Sequence, residues 1–589
     1  MPSAEAVEGL AACHSHVYTS RSASRCHSRV SRRRRSVSGL APPDKEAADL
    51  GLTGVFSSGS DVGLGAASFT GHDSASSSLA TLLAERSAGC TWQPPKAAHR
   101  DGGLWLIPPA ALREVQPAIA SIRADYAPLL ELYDGRPYAV GQGQSPTSSR
   151  VVAHGGPKLC GSPRRIICSG GPVLPDAAAQ LLHARVACVL QGSRLWPAAE
   201  QRWGSRSYLK QELANVRCHV LNAPMTERRF SYWFDAGQMG RVDGGYEVRP
   251  LVKSEEMTIG QFFNRSKRRA ACLYLQHSLL QDGGAGVAPC SGLGAEILHD
   301  IKSGLNFPLL ESCVAAGRFG PWVRCQLFVG AEAAIGARSI LHFDQYDNLF
   351  VQISGRKRFR IFDPSQSASL YPFPVHHPLD TRSQIDLESS SWPANFSKAG
   401  HASGVEVILE AGECLFLPAY WWHEVTTLDS NGDCDDYPLG GDLSSWEDRD
   451  LCVSVNFWFS ASRMLLQPEF PLGPAMRLEL ARQLEYLISD SLDDAPYHVP
   501  AFFGSVHRQL TQLLSSSLDE RRKQHGWPAL IAGLPAGVPP RAWLGLFEFV
   551  LWKARLLLGT TGVVPFFIEF CDPNRFCTLR MRRHSQQPK

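Results

Sequence analysis

The sequence predicts a mainly β fold with flanking helices, in which a double-stranded β-helix (jelly-roll) core is followed by a C-terminal helical segment. Two observations predict it. Within residues 166–460, short apolar segments are separated by Gly and Pro turns, as expected for consecutive strands of two packed sheets. Helical patterns lie mainly at the start of this region and after it.

The first 65 residues are dominated by Ser, Ala, Gly and Arg, and residues 9–43 contain no acidic residue. Such a composition cannot bury a core, so residues 1–65 are predicted to be a disordered basic tail. The arginine run 32–35 is typical of nuclear import. An Arg-rich, Ser-rich, acid-poor start is also typical of an organelle transit peptide, although Glu5 and Glu8 count against it. We expect a nuclear or cytoplasmic protein, with an organelle as the alternative.

Residues 66–165 stay rich in Gly, Ser and Pro and are predicted to be a mostly disordered linker. One helix is predicted within them at residues 108–133, where apolar residues recur at near-helical spacing, interrupted by Pro117 and Pro128. The folded domain that follows is therefore placed at residues 166–460.

The elements of this domain follow from local patterns. The lead-in segments are a strand in 186–192, a helix and then a strand in 205–223, and a helix in 257–266 before the strand LYLQ. The glycine-rich stretch 281–292 is predicted to be a flexible insertion. Residues 319–330 and 339–362 follow as consecutive strands.

The stretch 339–362 carries the candidate site. A strand alternates its faces with period two, so His342 and Asp344 project to the same side. His423 ends the run GECLFLPAYWWH further along the chain. Two histidines and one carboxylate form the facial triad of non-heme Fe(II) oxygenases, which leaves three metal positions open. Lys357, 15 residues after His342, is the kind of cation that holds a carboxylate cosubstrate.

Four segments now carry a family resemblance: HFDQYDNLFVQISGRKRFRIF, LYPFPVHHPLD, GECLFLPAYWWHEV and VSVNFWF. In this order they resemble the JmjC-type 2-oxoglutarate oxygenases, whose fold is of the cupin type. They are most similar to the asparaginyl hydroxylase branch that modifies hypoxia-inducible factor. The resemblance extends from about Arg165 to about Ser515. It implies Fe(II) and O2, 2-oxoglutarate as cosubstrate, and a protein as substrate.

The resemblance also implies a role for individual residues. His342, Asp344 and His423 match the catalytic iron ligands, and Lys357 matches the lysine that pairs with the distal carboxylate of 2-oxoglutarate. The other matched positions bind or approach the cosubstrate (Tyr274, Ser339, Asn348 and Asn456) or form the substrate side and pocket wall (Gln276, Phe350 and Trp458).

Two departures from the related hydroxylase concern the substrate. Thr381 and Arg382 stand where that enzyme has an Arg-Gln pair that reads the target's amide. A site built around hydrogen bonds discriminates through them, so asparagine specificity is not carried over with the fold. An acidic, glycine-rich insertion between His423 and Asn456 is predicted to be a loop near the mouth of the site.

Three other functions compete with a protein hydroxylase. The first is a JmjC lysine demethylase or a hydroxylase of another macromolecule. The second is a catalytically inactive JmjC scaffold or binding protein, against which the intact ligand set and Lys357 argue. The third, a cupin enzyme acting on sugars or small acids, would not need Lys357, Tyr274 and the NFW segment together.

Charge and cysteine content indicate which partners and which redox compartment to expect. The net charge of +3 gives no argument for nucleic-acid binding. The sixteen cysteines include no CxxC pair and no zinc spacing, which is typical of a reducing compartment rather than of a disulfide scaffold.

The chain is predicted to become helical after the barrel. Residues 461–529 contain two apolar stripes, one formed by Met476, Leu480, Leu484, Leu487 and Ile488, the other by Phe503, Val506, Leu510 and Leu513. The stripes either pack on their own barrel or, as the resemblance implies, form a homodimer. Residues 530–589 are an apolar extension of unknown role, predicted to be a helix followed by a strand. Glu548, Lys553 and Arg555 interrupt its apolar run, so no membrane span is predicted.

Overall fold

The protein is described here by a computed structural model. It describes residues 157–576 with gaps, the longest of which are 236–241, 248–251, 283–286, 390–395, 429–450 and 516–539. The predicted tail, the helix at 108–133 and most of the insertion after His423 therefore lie outside the described residues, as do the side chains of Leu510 and Leu513.

The strands and helices follow one another along the chain within these bounds. The strands are β1 (Lys158–Leu159), β2 (Arg164–Ile167), β3 (Cys188–Gln191), β4 (Arg217–Ala223), β5 (Arg229–Phe230), β6 (Trp233–Asp235), β7 (Val242–Asp243), β8 (Tyr246–Glu247), β9 (Val252–Thr258), β10 (Cys272–Asp282), β11 (Val287–Pro289), β12 (Trp322–Gly330), β13 (Arg338–Ser339), β14 (His342–Phe343), β15 (Tyr346–Ser354), β16 (Arg356–Phe362), β17 (Ser403–Leu409), β18 (Cys414–Leu417), β19 (Trp422–Leu428) and β20 (Cys452–Ser460). The helices are α1 (Asp176–His183), α2 (Pro197–Arg202), α3 (Arg206–Glu212), α4 (Ile259–Lys267), α5 (Ala295–Gly304), α6 (Phe307–Gly317), α7 (Pro474–Leu492), α8 (Ala495–Ser515) and α9 (Pro540–Phe570). Short 3₁₀ helices lie at Pro364–Leu370, Ala399–His401 and Pro573–Phe576.

Two sheets form the core. The larger has the strand order β2-β3-β18-β15-β20-β12-β10-β4-β9-β6, and the smaller has the order β1-β17-β16-β19-β13-β5, with β14 paired to β19. Apolar side chains from both sheets meet between them, including Phe350 and Leu415 of the larger and Phe359 and Val407 of the smaller. The predicted double-stranded β-helix with flanking helices is thereby confirmed.

The outer face of the larger sheet is covered by the helices that precede and interrupt it. Trp196, Trp203, Phe262 and Leu310 of this helical layer are fully buried against strand residues such as Phe457. The helix ends are specified locally: α4 begins with a capping box in which Thr258 and Gln261 bond each other's backbone N–H, at 3.3 and 2.9 Å. The larger sheet is thus covered by helices on its outer face, and its other face lines the interior of the barrel.

The C-terminal helices belong to the same core as the barrel. Helices α7, α8 and α9 bury one apolar cluster together with Phe343, Phe362 and Trp422 of the smaller sheet. All five residues of the first predicted stripe lie in this cluster. The stripe therefore packs within the chain, and homodimerisation stays a prediction.

The predicted strand in the C-terminal extension is wrong. Residues 540–570 form one helix, although the sequence 563–570 is rich in residues that favour strands. Val563, Phe566, Phe567 and Phe570 are all buried, and their spacing of three, four and seven residues places them on one helical face. Burial of that face overrides the local preference. None of the described helices is long and apolar enough to cross a membrane.

Two predicted boundaries also change. The stretch 281–292 is not simply a flexible insertion, because β10 continues to Asp282 and pairs antiparallel with β11. The linker predicted to end at residue 165 ends earlier, because β1 pairs with β17 and β2 pairs with β3. These strands are too short for an alternating apolar pattern to be recognised in the sequence.

Candidate metal centre

Strand pairing brings the predicted metal ligands together. His342 of β14 and His423 of β19 are directly opposed, and paired residues of neighbouring strands project to the same face. Their ring centroids lie 4.2 Å apart, and Asp344 follows β14 directly. One ligand atom from each of the three residues lies within 4.8 Å of the others. Among the described residues, this is the one such group of His, Cys, Asp or Glu side chains.

Both imidazoles are oriented by the backbone. The Nδ1 atom of His342 lies 2.8 Å from the carbonyl oxygen of Ile340, and that of His423 lies 3.1 Å from the carbonyl oxygen of Trp421. A hydrogen bond at Nδ1 fixes the neutral tautomer whose Nε2 is free to bind a metal. The Nε2 atom of His423 lies 3.8 Å from Oδ2 of Asp344.

The pKa shifts of the two histidines favour the neutral imidazoles that a metal site needs. Burial lowers the pKa of the His342 imidazole well below its usual range, and the neighbouring His423 and Arg382 lower it further. Burial also lowers the pKa of His423 and raises that of Asp344. Neutral imidazole nitrogens and a carboxylate oxygen are the donor set of the non-heme Fe(II) triad, so the residues fit this metal.

A buried cation lies deeper in the barrel. Lys357 of β16 is only 1% exposed, and its Nζ donates hydrogen bonds to the Tyr274 hydroxyl at 2.7 Å and to the Ser454 hydroxyl at 2.5 Å. Nζ also lies 5.0 Å from the centroid of the Phe350 ring and 5.3 Å from that of Phe328. Burial lowers the pKa of Lys357 to about 8.

Lys357 lacks an anionic partner within the described part of the chain, where no carboxylate forms an ion pair with it. A buried charge is costly unless it is paired. A carboxylate ligand would supply the missing charge, and the two hydroxyls beside Nζ would hydrogen-bond its oxygens. The surroundings of Lys357 therefore fit one carboxylate of 2-oxoglutarate.

Further predicted residues share this face of the larger sheet. Asn456 is two residues from Ser454 on β20, and Asn348 is two residues from Phe350 on β15, so each faces the interior. Both asparagine Oδ1 atoms are buried without a hydrogen-bond partner. Gln276 of β10 shares the face of Tyr274 and pairs with Phe328.

Trp458 and Ser339 have structural contacts. The Trp458 ring stacks on Tyr346 with a centroid distance of 5.3 Å. The Ser339 hydroxyl accepts a hydrogen bond from the backbone N–H of Val425 at 3.0 Å. It therefore ties β13 to the strand of His423, and its own hydrogen is left for another acceptor.

The segment predicted to face the substrate lies beside the metal ligands. Arg382 forms an isolated antiparallel bridge with His342, so its side chain starts on the same face. The carbonyl oxygen of Thr381 accepts a hydrogen bond from the N–H of Phe343 at 3.0 Å. That these residues contact a substrate stays a prediction, as do the other assigned roles.

Ser454 is not among the site residues predicted from the sequence, although the strand pattern could have identified it. It is two residues before Asn456 in the same strand, and period two places both side chains on one face. Asp347 was missed as well: it accepts hydrogen bonds from the N–H of Ala419 at 3.0 Å and from Arg185 at 2.8 Å. Nothing in the local sequence around residue 185 indicates that long-range contact.

Comparison with known proteins agrees with this geometry. Residues 176–464 match the family described as the cupin-like domain. Three relatives are lysine-specific demethylase JMJ31 of Arabidopsis thaliana, 33% identical over 135 residues, lysine-specific demethylase 8 of Xenopus tropicalis, 34% over 125 residues, and JmjC domain-containing protein D of Dictyostelium discoideum, 34% over 93 residues.

These alignments cover 23%, 21% and 16% of this chain, and 21%, 23% and 20% of the respective relatives. The matched part therefore spans about a fifth of each relative. The relatives' names support the JmjC family and do not single out its asparaginyl hydroxylase branch. With the barrel, the His-Asp-His group and the buried lysine in place, residues 176–464 are a cupin-like domain of the JmjC family.

Proposed function

We propose that this protein is an Fe(II)- and 2-oxoglutarate-dependent dioxygenase that hydroxylates a side chain of a protein substrate. The observation that carries the proposal is the pairing of two features in one barrel. A His-Asp-His group lies at residues 342, 344 and 423, and a buried lysine without a described anionic partner lies at residue 357. JmjC enzymes use iron and 2-oxoglutarate, and each feature fits one of them.

His342, Asp344 and His423 would hold the iron from one side. When bound, iron, 2-oxoglutarate and O2 supply the oxidation that inserts one oxygen atom into a substrate C–H bond and releases succinate and carbon dioxide. The backbone carbonyls at residues 340 and 421 keep the two imidazoles turned toward the metal. The ligands therefore need little rearrangement when the metal binds.

Lys357, Tyr274 and Ser454 would hold the far carboxylate of the cosubstrate. The ammonium supplies the charge, and the two hydroxyls complete the hydrogen bonds of the carboxylate oxygens. The rings of Phe328 and Phe350 limit the access of water to this end of the barrel. In such surroundings the ion pair is stronger than it would be in water. Asn348 and Asn456 would offer their unpartnered oxygens to polar groups in the same space.

Arg382 and Thr381 would face the substrate. Arg382 starts on the same face as His342, and its charge lowers the pKa of that imidazole. A guanidinium near the reacting position favours a neutral or acidic substrate side chain over an ammonium group. This charge supports side-chain hydroxylation, with asparagine as one substrate to test.

Lysine demethylation is the second candidate, because two of the three relatives reported above are named lysine-specific demethylases. Hydroxylation of an N-methyl group would release formaldehyde and shorten the substrate by one methyl group. The two reactions therefore differ in the mass of the product.

Mass spectrometry of peptides incubated with iron-loaded protein, 2-oxoglutarate and O2 tests the proposal. One peptide set contains asparagine in ankyrin-type sequences, and the other contains mono-, di- and trimethyllysine. A gain of one oxygen atom supports hydroxylation, and loss of a methyl group with formaldehyde supports demethylation. His342→Ala protein is the control. Absence of both products with every peptide, together with no succinate, would favour an inactive scaffold.

A further inference from the structure

Two charged residues are buried where helix α7 meets the barrel. Glu479 is 1% exposed and Arg482 is 7% exposed, and both lie beside the apolar residues that fix the helix in place. Buried charges at a helix–sheet contact are costly unless they are paired. Their partners therefore indicate what they do.

Arg482 holds the turn that precedes Arg382. Its guanidinium contacts both carboxylate oxygens of Asp380, with an Nη2–Oδ2 distance of 3.0 Å. Asp380 Oδ1 in turn accepts a hydrogen bond from the N–H of Thr381 at 2.6 Å. Because two parallel N–H···O bonds fix both distance and angle, this contact orients the turn as well as anchoring it.

The same turn touches the ligand segment 342–344. The carbonyl oxygen of Thr381 accepts the N–H of Phe343, at 3.0 Å, and Phe343 lies between the ligands His342 and Asp344. The guanidinium of Arg482 also lies 5.5 Å from the centroid of the Phe343 ring. Arg482 therefore supports the ligand segment through the turn and directly through Phe343.

Glu479 supports the segment from its other side. Its Oε2 accepts hydrogen bonds from the Tyr420 hydroxyl at 3.1 Å and from Nε2 of Gln345 at 3.2 Å. Gln345 follows Asp344 directly, and the N–H of Tyr420 donates to the carbonyl oxygen of Asp344 at 2.7 Å. Of these two partners of Glu479, Gln345 is the chain neighbour of Asp344, and Tyr420 binds the backbone carbonyl of Asp344.

Two residues of this network have unusual backbone conformations. Thr381 has φ +67° and Tyr420 has φ +69°, values that are uncommon for residues with a Cβ and costly for a β-branched one. Such conformations persist only where the surrounding structure holds them. Helix α7 reaches these two residues through the contacts of Asp380 with Arg482 and with the Tyr486 hydroxyl, at 3.5 Å for the latter, and through the contact of Tyr420 with Glu479.

We propose that helix α7 is a positioning element of the metal centre, in which Arg482 and Glu479 hold the ligand segment 342–344 in the geometry that binds the metal. The inference rests on the proposed function in one respect, namely that His342, Asp344 and His423 bind the metal. It does not depend on which substrate is oxidised.

Co²⁺ binding to the metal-free protein tests the proposal without turnover. Calorimetry gives the affinity, and the visible absorption of bound Co²⁺ reports the ligand geometry. The variants are Arg482→Met and Asp380→Asn, with Arg482→Lys as the conservative change. Arg477→Met is the matched control, because Arg477 lies on the same helix but pairs with Glu569 of α9.

We expect Arg482→Met and Asp380→Asn to weaken Co²⁺ binding about 10- to 100-fold and to change the absorption spectrum, as loss of an outer partner of a metal ligand does. Arg482→Lys should recover part of the affinity, and Arg477→Met should match the wild type. Asp380→Asn keeps an oxygen for the Thr381 N–H and nearly the same volume. It therefore gives the decisive result if Arg482→Met does not fold.

Two results would overturn the proposal, and they differ. A Co²⁺ site that is lost in His342→Ala but unchanged in Asp380→Asn and in every folded Arg482 variant would remove the positioning role alone. Co²⁺ affinity that His342→Ala leaves unchanged would remove the metal site, and the proposed function with it.

Discussion

Lys357 and Tyr274 meet across the interior of the barrel: Nζ of Lys357, on the smaller sheet, donates a hydrogen bond of 2.7 Å to the hydroxyl of Tyr274, on the larger sheet. Ser454, also on the larger sheet, accepts a second bond from the same nitrogen. The lysine thus spans the space between the two sheets. This position makes it both a structural link and the candidate anchor of the cosubstrate.

Replacing Lys357 by Met should weaken 2-oxoglutarate binding about 10- to 100-fold, because a hydrogen bond to a charged group contributes about 1.5–3 kcal/mol. The Michaelis constant for 2-oxoglutarate in uncoupled turnover measures this loss. Co²⁺ affinity should stay unchanged, since Lys357 is not one of the three clustered ligands. An unaltered Michaelis constant would mean that the cosubstrate carboxylate binds elsewhere.

Binding of 2-oxoglutarate should weaken as the pH rises through about 8. Burial lowers the pKa of Lys357 to about 8, so above this pH the free protein loses the cation that the carboxylate needs. Well above the pKa, each further pH unit should weaken binding up to tenfold, with uptake of one proton on binding. Calorimetry between pH 7 and pH 9.5 measures both quantities. Lys357→Arg is the control, because an arginine stays charged over this range and should flatten the profile.

Removing one metal ligand should abolish turnover without unfolding the protein. His342→Ala and Asp344→Ala each leave two of the three clustered donors. Neither side chain belongs to the apolar clusters that stabilise the sheets. Succinate formation should fall to background, while the thermal unfolding midpoint of the metal-free protein stays within a few degrees of the wild type. Normal succinate formation by either variant would contradict the ligand assignment.

Much of this site follows from the sequence, because period two along a strand decides which side chains share a face. This period places His342 and Asp344 on one side of their strand. Applied to β20, the same rule places Ser454 and Asn456 on one face. Contacts between distant segments have no such signal. Arg482 and Asp380 are 102 residues apart, and only the packing of α7 against the barrel brings them together.

The C-terminal extension shows a second limit of local patterns. Residues 563–570 have the composition of a strand, but their apolar residues also have helical spacing. The helix forms because α7 and α8 offer an apolar surface against which this helical face is buried. A helix that depends on tertiary burial in this way cannot be separated from the domain it packs on.

Phe502→Ala should therefore destabilise the barrel as well as the helices. Phe502 is fully buried and contacts Trp543 and Phe547 of α9, with ring centroids 5.3 and 5.9 Å away. Loss of a buried phenylalanine costs about 3–5 kcal/mol. We expect one cooperative thermal transition, shifted to lower temperature, when helix content and tryptophan fluorescence are followed together. A separate early transition with the later one unchanged would show that α8 and α9 fold independently of the barrel.

Introducing the Arg-Gln pair of the related hydroxylase at residues 381 and 382 tests whether this segment determines substrate specificity. Thr381→Arg combined with Arg382→Gln should raise the rate of oxygen incorporation into asparagine-containing ankyrin-type peptides relative to the wild type, since paired hydrogen bonds discriminate by large factors. Equal rates would show that this segment does not select the substrate. Thr381 has φ +67°, so Thr381→Gly is the control for a backbone effect.

The most direct test of the whole account is succinate formation from 2-oxoglutarate by protein loaded with Fe(II) under anaerobic conditions and then exposed to O2. If the three ligands hold iron and Lys357 holds the cosubstrate, we expect turnover by the wild type even without a peptide, none by His342→Ala, and a raised Michaelis constant for 2-oxoglutarate in Lys357→Met. Absence of succinate from folded, iron-loaded wild-type protein, with and without the peptide sets, would contradict the account and leave the barrel as a binding module.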